Sequence, residues 1–420
     1  MRNRTKEEKI DIYLPIICAL VYFSSYLGRH SYNANIAQII EAFGITKTET
    51  GLVTTFFFFS YGIGQFVHGI LCRKYSEKYT ILLALFVCAV TNLFVFLGID
   101  FNVYKYLWLI NGICLSTVWP LLTRILSKYL SPKALDKAVI LMGGSVTVGY
   151  LAAYGFAALV AALGNYKLSF LLGAVASVSI AIVWYIFYTK LGLNKMTVKI
   201  ETEKASDDRA EQGKKGNALR FSLLLTVITM GVYAVFSNLL KDGLHTWLPQ
   251  ILVETFNLSG SLSTLLSLVL SIFGLFASIL VVQLNKRIKN FLTCTELLFL
   301  VSSMLVFFII KILGGNMLVL CLIAFGCIAL CMHMVGTLIT SVAPLMLREQ
   351  MDAGMLSGVL NGACYVGSIL SSYGLARVAD SFGWMAVFYV LLLVALVPGA
   401  VLLVKGIISV VYNKVKLKCN

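Results

Sequence analysis

The segment between residues 11 and 36 reads DIYLPIICALVYFSSYLGRHSYNANI. It is apolar over a length that can cross about 30 Å of hydrocarbon, yet one cation, Arg29, stands in its second half. Eleven further apolar runs of about 20 residues follow it. The chain is 59% hydrophobic and 13% charged, with a mean hydropathy of +0.88. This composition excludes a soluble globular domain and predicts an all-α membrane protein with twelve spans.

The predicted spans fall into two sets of six. The segment between the sets, residues 190–220, is charged and polar and lacks apolar periodicity. We predict an N-terminal six-helix bundle over residues 1–189, a linker over 190–220 and a C-terminal six-helix bundle over 221–420. The predicted spans are 11–36, 51–71, 79–98, 104–127, 138–162, 167–189, 222–250, 262–284, 291–313, 316–344, 353–377 and 384–408.

Short motifs of the first half recur in the second at a nearly constant offset. The recurring pairs are Val148-Gly149 with Val366-Gly367, and Tyr154-Gly155 with Tyr373-Gly374. Two related halves that rock about a central site are the architecture of a secondary carrier. In span eleven, Gly358 and Gly362 continue a stripe of small residues that would allow close helix packing. The alternative is that each of these glycines only fills space.

A net charge of +15 would suit a nucleic-acid ligand, but Lys and Arg cluster in the termini and in short connections between spans. By the positive-inside rule, this distribution predicts that both termini and the linker are cytoplasmic. We expect a multi-pass monomer in a bacterial inner or plasma membrane that binds no nucleic acid, cofactor or metal. The connections on the other side hold Lys47, Lys105, Lys167, Lys311 and Arg377.

Two cations, Arg29 in span one and Lys241 in span seven, are predicted near the middle of the bilayer. A charge at that depth costs at least about 2.5–3.5 kcal/mol, so it normally faces a cavity and has a partner. No deep acid balances Arg29 within its half, and Asp242 adjoins Lys241. We predict that the missing partner is a small organic anion. The alternative is a structural bridge, above all between Lys241 and Asp242.

Polar residues that share a helical face with these cations are predicted to line one cavity. They are Tyr22, Tyr26, Arg29 and Asn33 in span one, Tyr61, Gln65 and His68 in span two, Tyr233, Ser237, Lys241 and His245 in span seven, and Asn361 and Tyr365 in span eleven. Of the four histidines, His30 and His245 are the strongest candidates for anion ligands or proton relays. The alternative for each is a hydrogen-bonded packing residue.

Several of these motifs resemble the organophosphate:phosphate antiporters of the major facilitator superfamily, over nearly the whole chain. Span one resembles the family's Tyr-x3-Tyr-x2-Arg signature, and span seven resembles Arg-x-Gly-x3-Trp-x-Pro with Lys241 at its first position. Trp119-Pro120 and Arg124 in span four match as well. The resemblance implies the twelve-helix major facilitator fold. It further implies that the anion is bound by Arg29 and Lys241, surrounded by Tyr22, Tyr26, Tyr61 and Tyr365.

The chain departs from the family pattern at basic positions. Lys241 replaces an arginine, and His30 and Gln65 replace lysines, so we expect a less basic pocket that holds a dianionic phosphate less tightly. The superfamily's Gly-x-x-x-Asp-Arg loop is altered too, because Arg73 and Lys74 occupy its last two positions. The candidates for gating or structural roles are Asp242, Arg124, Arg73, Lys74, Gly358 and Gly362.

Unpaired cations favour an exchange mechanism, because an empty carrier would have to close around them without a counter-charge. We predict exchange of a sugar phosphate or glycerol phosphate for inorganic phosphate. The alternatives are a membrane sensor of sugar phosphates with this fold, and a proton-coupled carrier of another organic solute. We do not expect an enzyme, because no catalytic or metal-binding motif occurs in a polar segment and the ten cysteines form no Cys-x-x-Cys pair.

Overall fold

A computed structural model of the chain describes residues 6–71, 76–191, 193, 217–313, 315, 317–347, 350–351 and 353–419. These residues are almost entirely helical. The first half comprises α1 (Lys6–Asn33), α2 (Ile36–Phe43), α3 (Lys47–Leu71), α4 (Glu77–Phe96), α5 (Phe101–Leu115), α6 (Val118–Tyr129), α7 (Pro132–Ala162) and α8 (Leu168–Lys190). The second half comprises α9 (Asn217–Phe256), α10 (Gly260–Leu266), α11 (Leu268–Gly274), α12 (Ala277–Ile288), α13 (Phe291–Ile312), α14 (Leu318–Thr337), α15 (Ala343–Met346), α16 (Ala353–Ile369) and α17 (Leu375–Cys419), with π-helical turns at Leu338–Val342 and Leu370–Gly374.

Eleven helical segments of the described chain are long and apolar enough to cross a membrane. The last of them, Gly358–Lys405, has 48 residues, roughly twice the length that one span needs. Gly383 divides this segment, because its backbone (φ 77°, ψ 175°) leaves the helical region inside α17. Glycine adopts this conformation easily because it has no Cβ. The prediction of twelve transmembrane helices in two six-helix bundles is therefore confirmed.

The helix pairs of the first half recur in the second. Helix α1 packs on α7 as α9 packs on α16, and α4 packs on α8 as α13 packs on α17. The pairing of α3 with α5 corresponds to the pairing of α11 and α12 with α14. Between the halves, α3 packs on α16 and α7 packs on α10. The sequence repeat is therefore a repeat of tertiary structure, as expected for two related bundles.

The repeated glycines, Gly149 and Gly367, mark a close helix approach in each half. A Cβ atom added at Gly149 would lie 2.6 Å from the Cβ of Tyr26, at the contact of α7 with α1. One added at Gly367 would lie 2.1 Å from the backbone oxygen of Val235, at the contact of α16 with α9. In each half, the close approach of the corresponding helix pair thus requires a glycine at the corresponding position.

Gly358 and Gly362 do not bring helices close together. A Cβ atom at either position would meet nothing within 4 Å, so the prediction of close packing along this stripe is wrong. Both glycines instead border an apolar recess of about 370 Å³ where α16 faces α3. Their spacing placed them on one face of α16, but α9 contacts a different face of that helix.

Replacing Gly367 by alanine is expected to lower the melting temperature of the protein purified in detergent. The new methyl group would overlap the backbone oxygen of Val235, which cannot rotate away. Overpacking of this kind costs about 1–3 kcal/mol. The Gly362→Ala variant is the matched control, since it adds the same methyl group to the same helix in open space. Equal melting temperatures of the two variants would contradict this account of Gly367.

We call the end of the bundle that holds residues 6 and 419 the terminal end, and the opposite end the far end. At the far end, Asp380 accepts hydrogen bonds from the backbone nitrogens of Lys47 (3.3 Å) and Thr48 (2.7 Å) and from the Thr48 hydroxyl (2.5 Å). Lys47 Nζ lies 3.1 Å from Glu254 Oε1 and 3.5 Å from Asp380 Oδ1. Trp384 Nε1 donates to Glu254 Oε2 at 2.8 Å. We call these five residues the far-end lock.

Further hydrogen bonds between the halves continue inward from the far-end lock. They join the hydroxyls of Thr55 and Ser372 (2.7 Å), the Thr264 hydroxyl and Ala34 oxygen (3.2 Å), and the Tyr154 hydroxyl and His245 oxygen (2.8 Å). The two halves are thus held together on the far-end side of their interface. This arrangement leaves the space between them directed toward the terminal end.

Candidate functional site

A cavity of about 440 Å³ lies between the two halves. A continuation of about 290 Å³ extends toward the terminal end. Most of the predicted site residues line this space. The larger part is lined by Tyr26, Arg29, Lys241, Asp242, Asn361 and Tyr365, and the continuation by Tyr22, Tyr61, Gln65, Asn361 and Tyr365. The structure therefore brings residues from the predicted faces of spans one, two, seven and eleven to one place.

Arg29 has no acidic partner within the described part of the chain. Its side chain is enclosed by aromatic rings, with the guanidinium carbon 4.9 Å from the ring centre of Tyr26, 5.1 Å from that of Phe57 and 5.0 Å from that of Tyr61. The residue is only 9% exposed, and its buried Nε makes no hydrogen bond to the described residues. Ring faces attract a cation but do not neutralise it. Arg29 is therefore a buried positive charge that forms no ion pair with the described residues.

Lys241, in contrast, has an acidic partner on the cavity wall. Its Nζ lies 3.5 Å from Asp242 Oδ1. The Asp242 carboxylate also accepts hydrogen bonds at Oδ2 from the Ser368 hydroxyl and, at 3.3 Å, from the Asn238 amide. Asp242 therefore lines the cavity as a carboxylate whose position is fixed by three side chains. The structural bridge that we considered as the alternative is present.

Aromatic rings form much of the rest of the wall. Tyr22 packs against Tyr26 and Trp119, with ring centres 5.1 Å and 4.8 Å apart. Across the interface, Tyr61 of the first half lies 5.4 Å from Tyr365 of the second. Tyrosine combines an apolar ring with a hydroxyl that donates or accepts. The wall can therefore accommodate a carbon skeleton as well as its polar substituents.

The structure places neither His30 nor His245 on the cavity wall. Both are buried. Their ring centres lie 4.1 Å (His30) and 5.1 Å (His245) from the ring centre of Tyr150, and Tyr150 lines the cavity. Both His30 nitrogens and Nε2 of His245 lack hydrogen-bond partners among the described residues. Their predicted role as ligands is thus not favoured by this geometry. Tyr150 lies between both rings and the cavity.

The predicted face of span seven is only partly directed at the cavity. The Tyr233 hydroxyl donates to Glu296 Oε1 at 3.2 Å, and the Ser237 hydroxyl donates to the Met332 oxygen at 3.3 Å. Glu296 is fully buried and also pairs with Lys405 at 2.6 Å. Glu296 is therefore a second buried acid of the second half. Glu296 belongs to the packing of α9, α13 and α17, away from the cavity.

Several lining residues were not predicted as site residues. They are Trp119, Tyr150, Asn238, His333, Thr337 and Thr340. Three of them could have been predicted from the sequence, because His333, Thr337 and Thr340 are polar residues at helical spacing in an otherwise apolar span. Thr340 and its neighbour Ser341 lie in the π-helical turn Leu338–Val342, a backbone irregularity that is frequent at functional sites.

The predicted gating residues other than Asp242 lie elsewhere. Arg124 is on α6 and lines neither part of the cavity. Arg73 and Lys74 lie outside the described residues. The predicted linker, residues 190–220, is likewise outside them except for Lys190, Leu191, Leu193 and 217–220.

The side chains of this site suit the recognition of an anion. The site offers a buried guanidinium with a planar set of donors, which matches the oxygens of a phosphate or carboxylate. Amides and hydroxyls surround it, and the described residues contain no cluster of three or more potential metal ligands. An anion bound at Arg29 would be wrapped by both halves at once.

Comparison with known proteins relates the chain to membrane carriers. A profile of the Major Facilitator Superfamily matches residues 18–372. The chain is similar to a probable hexose phosphate transport protein of Chlamydia trachomatis serovar D, with 21% identity over 94% of this chain and 91% of that protein. It is similar to a glucose-6-phosphate exchanger of Xenopus tropicalis, with 24% identity over 89% and 82%. A solved structure of a bacterial homologue of the human lysosomal transporter Spinster, inward-facing and occupied, has a TM-score of 0.71 at 14% identity, covering 95% of this chain and 97% of that one.

Proposed function

Because the chain belongs to the Major Facilitator Superfamily, we propose that it is a secondary active transporter for a small phosphorylated organic anion, a sugar phosphate or glycerol phosphate. It exchanges this anion for inorganic phosphate by alternating access. Arg29, an unpaired buried guanidinium between the two halves, is the observation that carries the proposal. The relatives named for hexose phosphate transport and glucose-6-phosphate exchange support the substrate class.

The anion binds at Arg29 in this proposal. The guanidinium donates two parallel hydrogen bonds to the phosphate oxygens, a geometry that a lysine cannot offer. The hydroxyls of Tyr26, Tyr61 and Tyr365, on three helices around the cavity, add neutral donors. Lys241 contributes a second positive charge that Asp242 offsets. The organic part of the substrate lies toward Asn361 and the aromatic wall.

The terminal end faces the cytoplasm, in agreement with the cationic residues that cluster on that side. The structure then corresponds to a carrier whose outer side is closed by the far-end lock and whose cavity extends inward. Transport requires this lock to break while the two halves approach each other at the terminal end. One chain forms the whole cavity, so a monomer suffices for this cycle.

Exchange should be measured in proteoliposomes loaded with radiolabelled phosphate. We expect label to leave the vesicles when glucose 6-phosphate or glycerol 3-phosphate is added outside, and to stay when unphosphorylated glucose or glycerol is added. Efflux requires an external anion because the empty carrier does not close easily around Arg29. Binding of an ester without any efflux would favour a sensor, and proton-driven uptake without phosphate would favour another carrier class. Either result would contradict exchange.

A further inference from the structure

We infer that Asp242 determines which ionic form of the substrate the site binds. The site selects a singly charged, hydroxyl-bearing oxyanion over the doubly charged form of the same molecule. The inference rests on the proposed function and specifies the ionic form of substrate that the same cavity accepts. It follows from three features of the cavity: its charge balance, the fixed position of Asp242 and the hydrogen-bonding chemistry of a carboxylate.

The first feature is the charge balance. Among the described residues that line the cavity and its continuation, the Asp, Glu, Lys and Arg side chains are Arg29, Lys241 and Asp242. Lys241 and Asp242 form a pair at 3.5 Å, so their charges largely cancel at a distance. The cavity therefore presents about one positive charge, located at Arg29. A bound monoanion leaves the closed site neutral, whereas a dianion leaves an excess negative charge in a dehydrated space.

The second feature is that Asp242 cannot turn away from the substrate. The residue is 9% exposed, and its Oδ2 is held by Ser368 and Asn238 while its Oδ1 faces Lys241. Ser368 and Asn238 also hydrogen-bond to each other at 3.2 Å. The three side chains thus form a closed set of contacts between α9 and α16. A carboxylate held in this way is part of the binding surface and not a mobile surface charge.

The third feature is what a carboxylate can bind. An ionised carboxylate only accepts hydrogen bonds, and it has about four acceptor positions. A phosphate ester that carries one proton has a hydroxyl that can donate to Asp242 while its charged oxygens face Arg29. The fully ionised ester has no such proton, and its oxygens repel the carboxylate. Sugar hydroxyls can donate in the same way, so a polyol part suits this wall as well.

The test compares two esters of the same shape. Glucose 6-sulfate carries one charge at all pH values used, whereas glucose 6-phosphate loses its second proton near pH 6. Dissociation constants of both esters should be measured by calorimetry with the purified protein at pH 5.5 and pH 7.5. We expect glucose 6-phosphate to bind about 25-fold more weakly at pH 7.5, because its singly charged fraction falls by that factor. Glucose 6-sulfate should change less than threefold.

Groups of the protein can also titrate between these two pH values, and the sulfate ester reports their effect. The fold-change in affinity for glucose 6-phosphate between the two pH values is therefore divided by the fold-change for glucose 6-sulfate. The groups on the wall around Asp242 that can carry a charge are Tyr26, Arg29, Tyr150, Lys241, His333, Cys364 and Tyr365. Of these types, histidine ordinarily titrates in this range.

The Asp242→Asn variant should bind glucose 6-phosphate with similar affinity at both pH values, because the cavity then accommodates the dianion. Glu296→Gln is the matched control. It removes the same charge from a buried carboxylate of the same half, but away from the cavity, and should keep the pH dependence.

Equal affinity of the unmodified protein for glucose 6-phosphate at both pH values would overturn the charge selection, and this comparison needs no variant. A pH dependence unchanged in Asp242→Asn would overturn the role of Asp242. If neither ester binds at either pH, the proposed function itself fails.

Discussion

The Arg29→Ala variant is expected to lose measurable binding of phosphate and of glucose 6-phosphate, and with it exchange in proteoliposomes. Arg29 is the cation of the cavity that the described structure leaves without an acidic partner, so its removal leaves the wall without net positive charge. Truncation of one partner in a buried, charge-assisted contact costs about 2–5 kcal/mol, which weakens binding about 30-fold or more. Calorimetry of the purified variant gives the affinity, and its melting temperature shows whether it is folded.

Two further variants separate the guanidinium from positive charge in general. Arg29→Lys keeps the charge but not the planar donors, and should recover only part of the affinity. Lys405→Ala removes a cation that pairs with Glu296 outside the cavity, and should bind phosphate like the unmodified protein. Phosphate binding in Arg29→Ala within twofold of the unmodified protein would exclude Arg29 as the anion ligand.

The second large effect is expected at the far-end lock. Asp380→Ala removes an acceptor for the backbone nitrogens of Lys47 and Thr48, for the Thr48 hydroxyl and for the Lys47 charge. Hydrogen bonds to charged groups contribute about 1.5–3 kcal/mol each, so the equilibrium should shift at least about tenfold toward a form that is open at the far end. Hydrogen–deuterium exchange should become faster in residues 44–56 and 257–266, on both sides of the interface.

Glu49→Gln is the matched control for this prediction. Glu49 also lies at the far end, but its carboxylate accepts hydrogen bonds from Thr46 within its own half. Its replacement should therefore leave exchange in residues 257–266 unchanged. Faster exchange in Asp380→Ala that is confined to residues 46–50 would indicate local loosening of α3 and would exclude opening of the interface.

The fold could be predicted from the sequence because apolar length and charge placement are direct consequences of the bilayer. Twelve apolar runs and a polar segment between the halves suffice to define two six-helix bundles. The repeat of Val148-Gly149 in Val366-Gly367 indicated two related halves, and the structure adds that each glycine lies where the corresponding helix pair approaches closely. The prediction of close helix packing at Gly358 and Gly362 was wrong, because helical spacing shows which residues share a face but not which helix packs against that face.

The candidate site was predicted in outline but not in its electrostatics. Arg29 and the tyrosines were found because a charge in an apolar run has to face a cavity. Lys241 was expected to be unpaired because neighbours on a helix point about 100° apart. A lysine has a flexible four-carbon stem, however, and the structure shows that its ammonium group reaches Asp242. His30 on α1 is separated from the cavity by Tyr150, which belongs to α7. The sequence of α1 alone gives no information on which side chain of α7 packs against it.

The unpaired charge of Arg29 also has an electrical consequence. Membrane voltage acts on any charge that crosses its field, with about 2.3 kcal/mol per elementary charge per 100 mV. A carrier loaded with a singly charged anion is neutral at its centre, so its reorientation is electrically silent. The empty carrier still bears the charge of Arg29. Under the proposed exchange of singly charged anions, a potential across the membrane would therefore bias the side to which the unloaded carrier opens, and would leave the rate of the exchange step unchanged.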